Sequence, residues 1–547
     1  MSFHLPAQLI ESLRDKAGHL AYSNPLYDWS LQLSAPDRLM VKPIDPWPGD
    51  AEKAKALLHA AGVGERTGPQ WFEEWWTPED ADDIWASHMH GFGWLRDLRT
   101  LGGAISREQG RLMIENWIDR YEHWNAQSWR GDLIGRRLSM WICHYDYFCT
   151  NSDIDFEDRV LSSIVKQAKH LSNILRSSKE VALFESAKGL IYAGIALEGY
   201  DKWVDQGQAA LETAIKAQIH ADGGHISRSP VTLLEVLEIM VDIRSALKAG
   251  NYAVSDYITD TIDSMSSALR CLRYRDRKFG LFHGAQEGNV EAIDSILAQA
   301  GTHKKTKESL PDTGFERIEM GRSLLVMDTG KAPPAPYDKT AHASPLAFEF
   351  SYGKERLLVS CGTHPTCPQW QEALRFTAAH NTACLDYRNA CEIRKDGHFG
   401  RKVTNAFVTR TDNNDAVLLT ASHNGYAPLN AITHTRKVYM ADEGHDIRGE
   451  DDFISASRLV HPVEAALRFH IHPNVSVSLV NNGTEVLMRM PGGIGWRFKH
   501  SQGAILSLDD SLYLGQGVTP RKTKQIVLQT SISNHNGCVK WSLKREG

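Results

Sequence analysis

The sequence is short of several things. It has no run of about 18 apolar residues, so no transmembrane helix is expected. Its eight cysteines (Cys143, Cys149, Cys271, Cys361, Cys367, Cys384, Cys391 and Cys538) include no Cys-x-x-Cys pair. A chain of 547 residues buries enough apolar surface to fold without disulfide staples, and reduced thiols are expected. The opening MSFHLPAQLIESLRDKAGHL lacks the basic flank, apolar stretch and small-residue cleavage site of a signal peptide, and reads as an amphipathic helix. The expected compartment is therefore cytoplasmic. Basic excess is absent as well: 61 Lys and Arg stand against 67 Asp and Glu, a net charge of −6. This argues against nucleic acid or an anionic membrane as partner, while leaving room for a local basic cleft and an acidic ligand. No Walker loop, dinucleotide glycine fingerprint after a strand, GxSxG elbow or HExxH helix occurs.

What is present reads as a soluble globular protein, with 42% hydrophobic and 23% charged residues. At roughly 150 residues per domain the length suits three to four domains, or two large ones. The two halves differ in texture. Eleven of the fifteen tryptophans precede residue 150. From about 78 to 275 the apolar spacing is helical: Leu133, Arg137, Met140, Trp141, His144 and Tyr145 recur at three and four. Further helices are predicted over 179–199, 204–220, 230–249 and 252–275. Their short connections suit antiparallel hairpins arranged as a toroid or solenoid. Residues 300–316 and 331–340 read as linker and loop. Beyond them alternation takes over, as in Val475, Val477 and Leu479, in Val486, Met488 and Met490, and in Trp496 and Phe498. Many short strands with no helix between them predict antiparallel sheets packed as a sandwich. The expectation is an α+β multidomain chain, with a helical domain over 1–300 and an antiparallel β-sandwich over 317–547.

Four polar clusters are candidates for chemistry. The first, Asp222 to Pro230 between two helices, carries His225 and Arg228; loops on rigid elements are where such groups are commonly placed. The second has His342 just before the alternating Leu346, Phe348 and Phe350. The third, Arg375 to Thr382, contains Arg375 and His380. Two histidines at strand entries could share a metal, since imidazole is a good zinc ligand. The fourth joins His423 and Tyr426 to His434 and Arg436. In the helical half, Trp94 with Arg96, and Trp129 with Arg130 and Asp132, combine aromatic faces with charged groups, as sugar sites do; helix packing with buried ion pairs gives the same pattern.

These clusters, in this order, resemble the heparinase II/III family. The matching pieces are DGGHISRSP after a helix, AHASPLAFEF with LLVSCG behind it, RFTAAHNT, HNGY with HTR, and GWRF followed by SLYLGQGVTPRKTKQIVL. The resemblance implies an α/α toroid followed by a β-sandwich. It implies polysaccharide lyase activity by β-elimination on uronic-acid glycans, in which a Tyr and a His move protons while an Asn or other polar group neutralises the carboxylate. It also implies zinc, the one cofactor expected, on two His and an Asp of the β domain. An acidic oligo- or polysaccharide is the expected partner, and a homodimer is allowed for.

The chain departs from the family pattern in places. Val231, Thr232 and Leu233 stand where a Tyr follows Ser-Pro, and the helix opening Glu180-Val181-Ala182-Leu183 has no Asn. Of the family's His-x-His-x-Asp only His342 remains, and Ser360 or Cys361 stands at the expected Asp. Three readings follow. One is a lyase with relocated groups: His225 or Tyr426 moving protons, Arg228 or Arg375 neutralising, Trp94, Arg96, Trp129, His423 and His434 binding substrate, and His342 and His380 holding metal. The second is a carbohydrate-binding relative without elimination chemistry. The third is a structural or interaction protein that keeps only the fold.

Overall fold

The computed structural model describes residues 18, 20–60, 76, 82–301, 306–413, 415–533 and 535–546. Most of the opening segment read as a helix lies outside them. Among the described residues helices run as far as Val290–Ala300, and strands begin at Ser309–Leu310. Among the described residues no helix is long and apolar enough to cross a membrane.

The predicted helices appear as Glu180–Ala196, Asp201–Gln218, Pro230–Ala249 and Asp256–Cys271. The stripe from Leu133 to Tyr145 is split between two helices, Gly131–Cys143 and Tyr145–Cys149, because His144 leaves helical geometry at φ −106°, ψ 10°. Gly131–Cys143 lies tightly against Glu180–Ala196. A Cβ on Gly189 would stand 2.4 Å from the Gly135 Cα, so two facing glycines let the backbones meet.

Among the described residues the β region contains three antiparallel sheets. One has five strands in chain order: β1 (Ser309–Leu310), β2 (Phe315–Met320), β3 (Ser323–Asp328), β4 (Phe348–Tyr352) and β5 (Glu355–Leu358). The remaining strands are β6 (Ala383–Leu385), β7 (Ala406–Asn413), β8 (Ala416–His423), β9 (Ile432–Ala441), β10 (Asp446–Ser455), β11 (Val463–His470), β12 (Ser476–Val480), β13 (Glu485–Arg489), β14 (Gly495–His500), β15 (Ile505–Tyr513), β16 (Arg521–Ile532) and β17 (Asn536–Glu546). They form an eight-stranded sheet in the order β12-β13-β14-β17-β10-β9-β8-β7 and a four-stranded sheet in the order β15-β16-β11-β6. One apolar core joins all three sheets, with Leu325, Phe348, Leu467, Phe469, Phe498, Ile526 and Trp541 among its members. β9 alternates buried and half-buried residues along its whole length, as a sheet with one wet face requires. β3 and β4 are buried on both faces, so their alternation disappears.

The chain divides into two compact units, residues 1–217 with 238–259, and residues 218–237 with 260–547. This differs from a cut at the helix-to-strand change near residue 300, because buried polar bonds tie helical segments to the strands. Arg317 donates to the Cys271 and Arg273 carbonyls at 3.1 and 2.7 Å, and the Asp222 carboxylate accepts the Asp312 and Thr313 N–H groups at 2.8 and 2.7 Å.

Candidate functional site

The turn after Asp201–Gln218 folds back on itself, with the Ile226 N–H donating to the Gln218 carbonyl at 2.8 Å. That places His225 inside. Its Nδ1 accepts the Ser227 N–H at 3.1 Å and lies 2.7 Å from the Ser227 Oγ, so the ring proton sits on Nε2, toward the Gln218 Oε1 at 3.3 Å. The ring is buried, and burial holds its pKa down at about 3.

Arg228 follows with a left-handed backbone, φ +64°. Its guanidinium is buried and donates to the Thr313, Lys331 and Gly314 carbonyls at 2.7, 3.0 and 2.8 Å, and to the Asp328 Oδ1. It also lies 4.9 Å from the centre of the Phe315 ring. Two glycines make room for it: a Cβ on Gly330 would come within 2.5 Å of Arg228 Nη2, and one on Gly314 would meet Gly330.

Asp328 closes β3. Its second oxygen faces the His283 Nε2 at 3.1 Å and accepts from the Ser344 Oγ at 3.3 Å. Burial alone would raise this carboxyl, but Arg228 and His283 hold it well below the usual range. The His283 Nδ1 accepts the His342 N–H at 3.2 Å. The His342 ring lies 4.8 Å from that of His380 and 6.3 Å from that of His283. Arg228, Asp328, His283, His342 and His380 therefore form one buried network within the second unit. Burial keeps both His342 and His380 neutral, the latter at about 3.

Zinc needs lone pairs from at least three protein atoms. His342 Nδ1 and His380 Nε2 are buried without a hydrogen-bond partner, which makes them the natural candidates. The fit fails on two counts. The Gly284 N–H donates to the His342 Nε2 at 2.9 Å, which puts that ring's proton on Nδ1, where a metal would need the lone pair. No third His, Cys, Asp or Glu atom joins the pair within 4.8 Å among the described residues. The trio that does meet this distance, Glu450, Asp452 and Cys538, has its carboxylates bound to Lys437 and Lys540. The expected zinc pair is thus corrected to two neutral, buried rings whose donor set does not suit the ion.

The remaining candidates are enclosed too. The Tyr426 hydroxyl is fully buried and donates to the Ala383 carbonyl at 2.8 Å; burial raises its pKa well above the ordinary value. Arg375 donates to the Ala341 and Asp338 carbonyls at 2.8 and 2.9 Å. His423 accepts the Gly425 N–H on Nδ1 at 3.0 Å and donates from Nε2 to the His434 Nδ1 at 3.2 Å. His434 in turn donates to Asp451 at 2.7 Å, and Asp451 also accepts from Arg436 and Trp541 at 2.7 and 2.9 Å. His423 and His434, expected to bind substrate, are instead rungs of a buried chain in the sandwich core.

The first unit treats its candidates similarly. Trp94 is 1% exposed and donates to the Met89 carbonyl; Trp129 is 2% exposed and donates to the Tyr121 carbonyl. Neither ring offers a face to a sugar, so the packing reading holds for both. Arg96 grips Asp45 with two bonds of 2.7 and 3.0 Å, and a fifth of its side chain remains exposed.

Asp328 and His283, the hub of the network, were not singled out in the sequence. The signal available was slight: a strand ending in Asp-Thr-Gly and a histidine between Phe282 and Gly284.

Comparison with known proteins agrees with this architecture. The family description "Heparinase II/III N-terminus" matches residues 103–303, and "Heparinase II/III-like, C-terminal" matches residues 302–542. "FtsZ-localized protein C" of Caulobacter vibrioides is 26% identical over 97% of this chain and 95% of its own length. "Heparin-sulfate lyase" of Pedobacter heparinus is 20% identical over 57% of this chain and 53% of its own. Among solved structures, heparinase III superposes with a TM-score of 0.73 at 13% identity, covering 100% of this chain and 92% of that one. The heparan sulfate lyase HepC of Pedobacter heparinus gives 0.66 at 16% identity, covering 97% and 88%. The helical toroid followed by a β-sandwich is thus the fold of this chain.

Proposed function

This chain belongs to the heparinase II/III family, and we propose that it works there by binding rather than by β-elimination. One observation carries the reading: His225, Tyr426 and Arg228, the groups left to move protons and neutralise a uronate, are all buried and engaged inside the protein. A proton-transfer group must come within hydrogen-bond reach of the substrate atom it serves. Arg228 already directs its donors at three carbonyls and a carboxylate. A lyase fold does not by itself bring lyase chemistry.

The ligand class we carry over from the family is an acidic oligo- or polysaccharide. The place of action we carry over from the relative that matches nearly end to end, whose name puts it with FtsZ. Both are tested with the purified full-length chain, by titration against uronate oligosaccharides and by co-sedimentation with FtsZ polymer. Saturable binding or co-sedimentation supports the reading; neither, with the chain folded, removes it. A second reading, elimination with relocated groups, is favoured by the match of both family regions over residues 103–542. It requires the appearance of an unsaturated uronate product.

A further inference from the structure

The eight-stranded sheet packs one face on the core and turns the other outward. On the outward face, β8, β9, β10, β17 and β14 carry a groove of about 590 Å³, within the range of about 300–1,000 Å³ typical of ligand sites. Its charge runs against that of the chain. The net charge of the whole is −6, yet Lys437, Arg448, Arg497, Lys499, Lys540 and Lys544 line the groove against two carboxylates, Asp446 and Glu450.

Strand register sets these groups in rungs. Leu418, Tyr439, Arg448, Ser542 and Lys499 stand in register on five successive strands. Four interstrand steps of about 4.8 Å make this rung roughly 19 Å long. On one side of it lie Lys437, Glu450 and Lys540, and on the other Asp446, Lys544 and Arg497. Each is an even number of residues from its neighbour along the strand, so all face the same way. Half-buried Leu418 and Tyr439 supply an apolar end.

The cations are anchored within the face and keep donors for a ligand. Arg448 gives Nε and Nη2 to Asp446 at 3.1 and 2.7 Å, which leaves Nη1. Lys437 and Lys540 share Glu450 at 2.5 and 2.9 Å, and Lys499 meets Glu485 at 2.9 Å. Arg497 donates to Glu485 at 2.7 Å and to Glu546. Lys544 is exposed and has no ion-pair partner among the described residues. The Arg448 and Lys540 side chains are both 64% exposed, so their pairs lie in water, where a ligand anion competes readily.

We propose that this face binds a segment of acidic oligosaccharide, with its carboxylate or sulfate groups on Arg448, Lys499 and Lys544 and a sugar ring against Tyr439. A guanidinium fork suits an anion with two oxygens, and a phenol offers an apolar face beside a polar edge. The inference rests on the reading that the chain binds an acidic glycan, and gives that ligand a surface outside the buried network around Arg228.

The test titrates the full chain with a short polyglucuronate oligomer, a heparan sulfate oligomer, and a carboxyl-reduced, neutral oligomer. At least one acidic oligomer should bind, more weakly as salt rises, and which one binds identifies carboxylate or sulfate as the anion. The neutral oligomer should bind at least tenfold more weakly. Arg448→Ala with Lys544→Ala should lower acidic-oligomer affinity at least tenfold, with circular dichroism and melting temperature unchanged, and Tyr439→Ala should lower it too. Lys522→Ala with Lys524→Ala, on the four-stranded sheet, should leave it as it was. Binding untouched by Arg448→Ala with Lys544→Ala overturns the site and leaves the glycan reading standing; no binding of either acidic oligomer removes both. Loss of co-sedimentation with FtsZ polymer in that variant, with glycan binding intact, also overturns it, since the face would then dock protein.

Discussion

Arg228 and Asp328, 100 residues apart in sequence, form a single buried ion pair at the end of β3. It ties the turn after Asp201–Gln218 to the five-stranded sheet, and through His283 it reaches the paired rings of His342 and His380. Arginine at this point gives the network its positive charge while engaging the donors that a uronate would need.

Arg228→Ala leaves the Asp328 carboxylate buried and without its main counter-charge. Breaking one side of such a pair costs about 3–5 kcal/mol. The expected outcome is a drop of that size in urea unfolding. Arg228→Lys should recover only part of it, since an ammonium cannot reproduce the forked contacts to three carbonyls and a carboxylate.

Acid should destabilise the fold early. His225 and His380 are held at about 3 and His470 at about 4, against an ordinary 6.5. Below about pH 6.5 the unfolded chain binds protons that the folded chain refuses, so stability falls with pH by about 1.4 kcal/mol per unit for each such histidine. Asp328 and Asp451, both held below 3.8, extend the loss: their contribution is full above that value and disappears as pH falls through their lowered folded pKa values. Urea midpoints should decline continuously from about pH 6.5 to pH 4; a flat profile would contradict the buried neutral rings.

Architecture was legible in the sequence because it depends on repetition. The three-and-four spacing of the first half and the alternation of β12, β13 and β14 each recur often enough to survive local exceptions. Site geometry was not legible, because it depends on single encounters between distant residues. Nothing near His342 in sequence reveals that the Gly284 N–H determines its tautomer, and nothing near Arg228 points to Asp328. Trp94 and Trp129 show the same limit: aromatic rings beside charged groups look alike in a sugar site and in a helix core, and only burial separates them.

Gly449→Ala tests the packing of the eight-stranded sheet. A Cβ there would stand 2.0 Å from the Trp541 ring, and that ring's N–H is bonded to Asp451. Overpacking of this kind costs about 1–3 kcal/mol. The expected outcome is a lower melting temperature with a change in tryptophan fluorescence.

Zinc should not accumulate. With the His342 proton on Nδ1 and no third donor at hand among the described residues, elemental analysis of protein purified without chelator should give well below one zinc per chain. One zinc per chain, lost in the His342→Ala and His380→Ala double variant, would contradict this account of the histidine pair.

The most direct test of binding without elimination is the absorbance of the conjugated double bond that β-elimination leaves on a uronate. The full chain, incubated with heparan sulfate, chondroitin, hyaluronan, alginate and polyglucuronate, should produce no such absorbance at concentrations where a bound glycan is detected by titration. A steady rise on any of these substrates, abolished by Tyr426→Phe or His225→Gln in a folded variant, would contradict it.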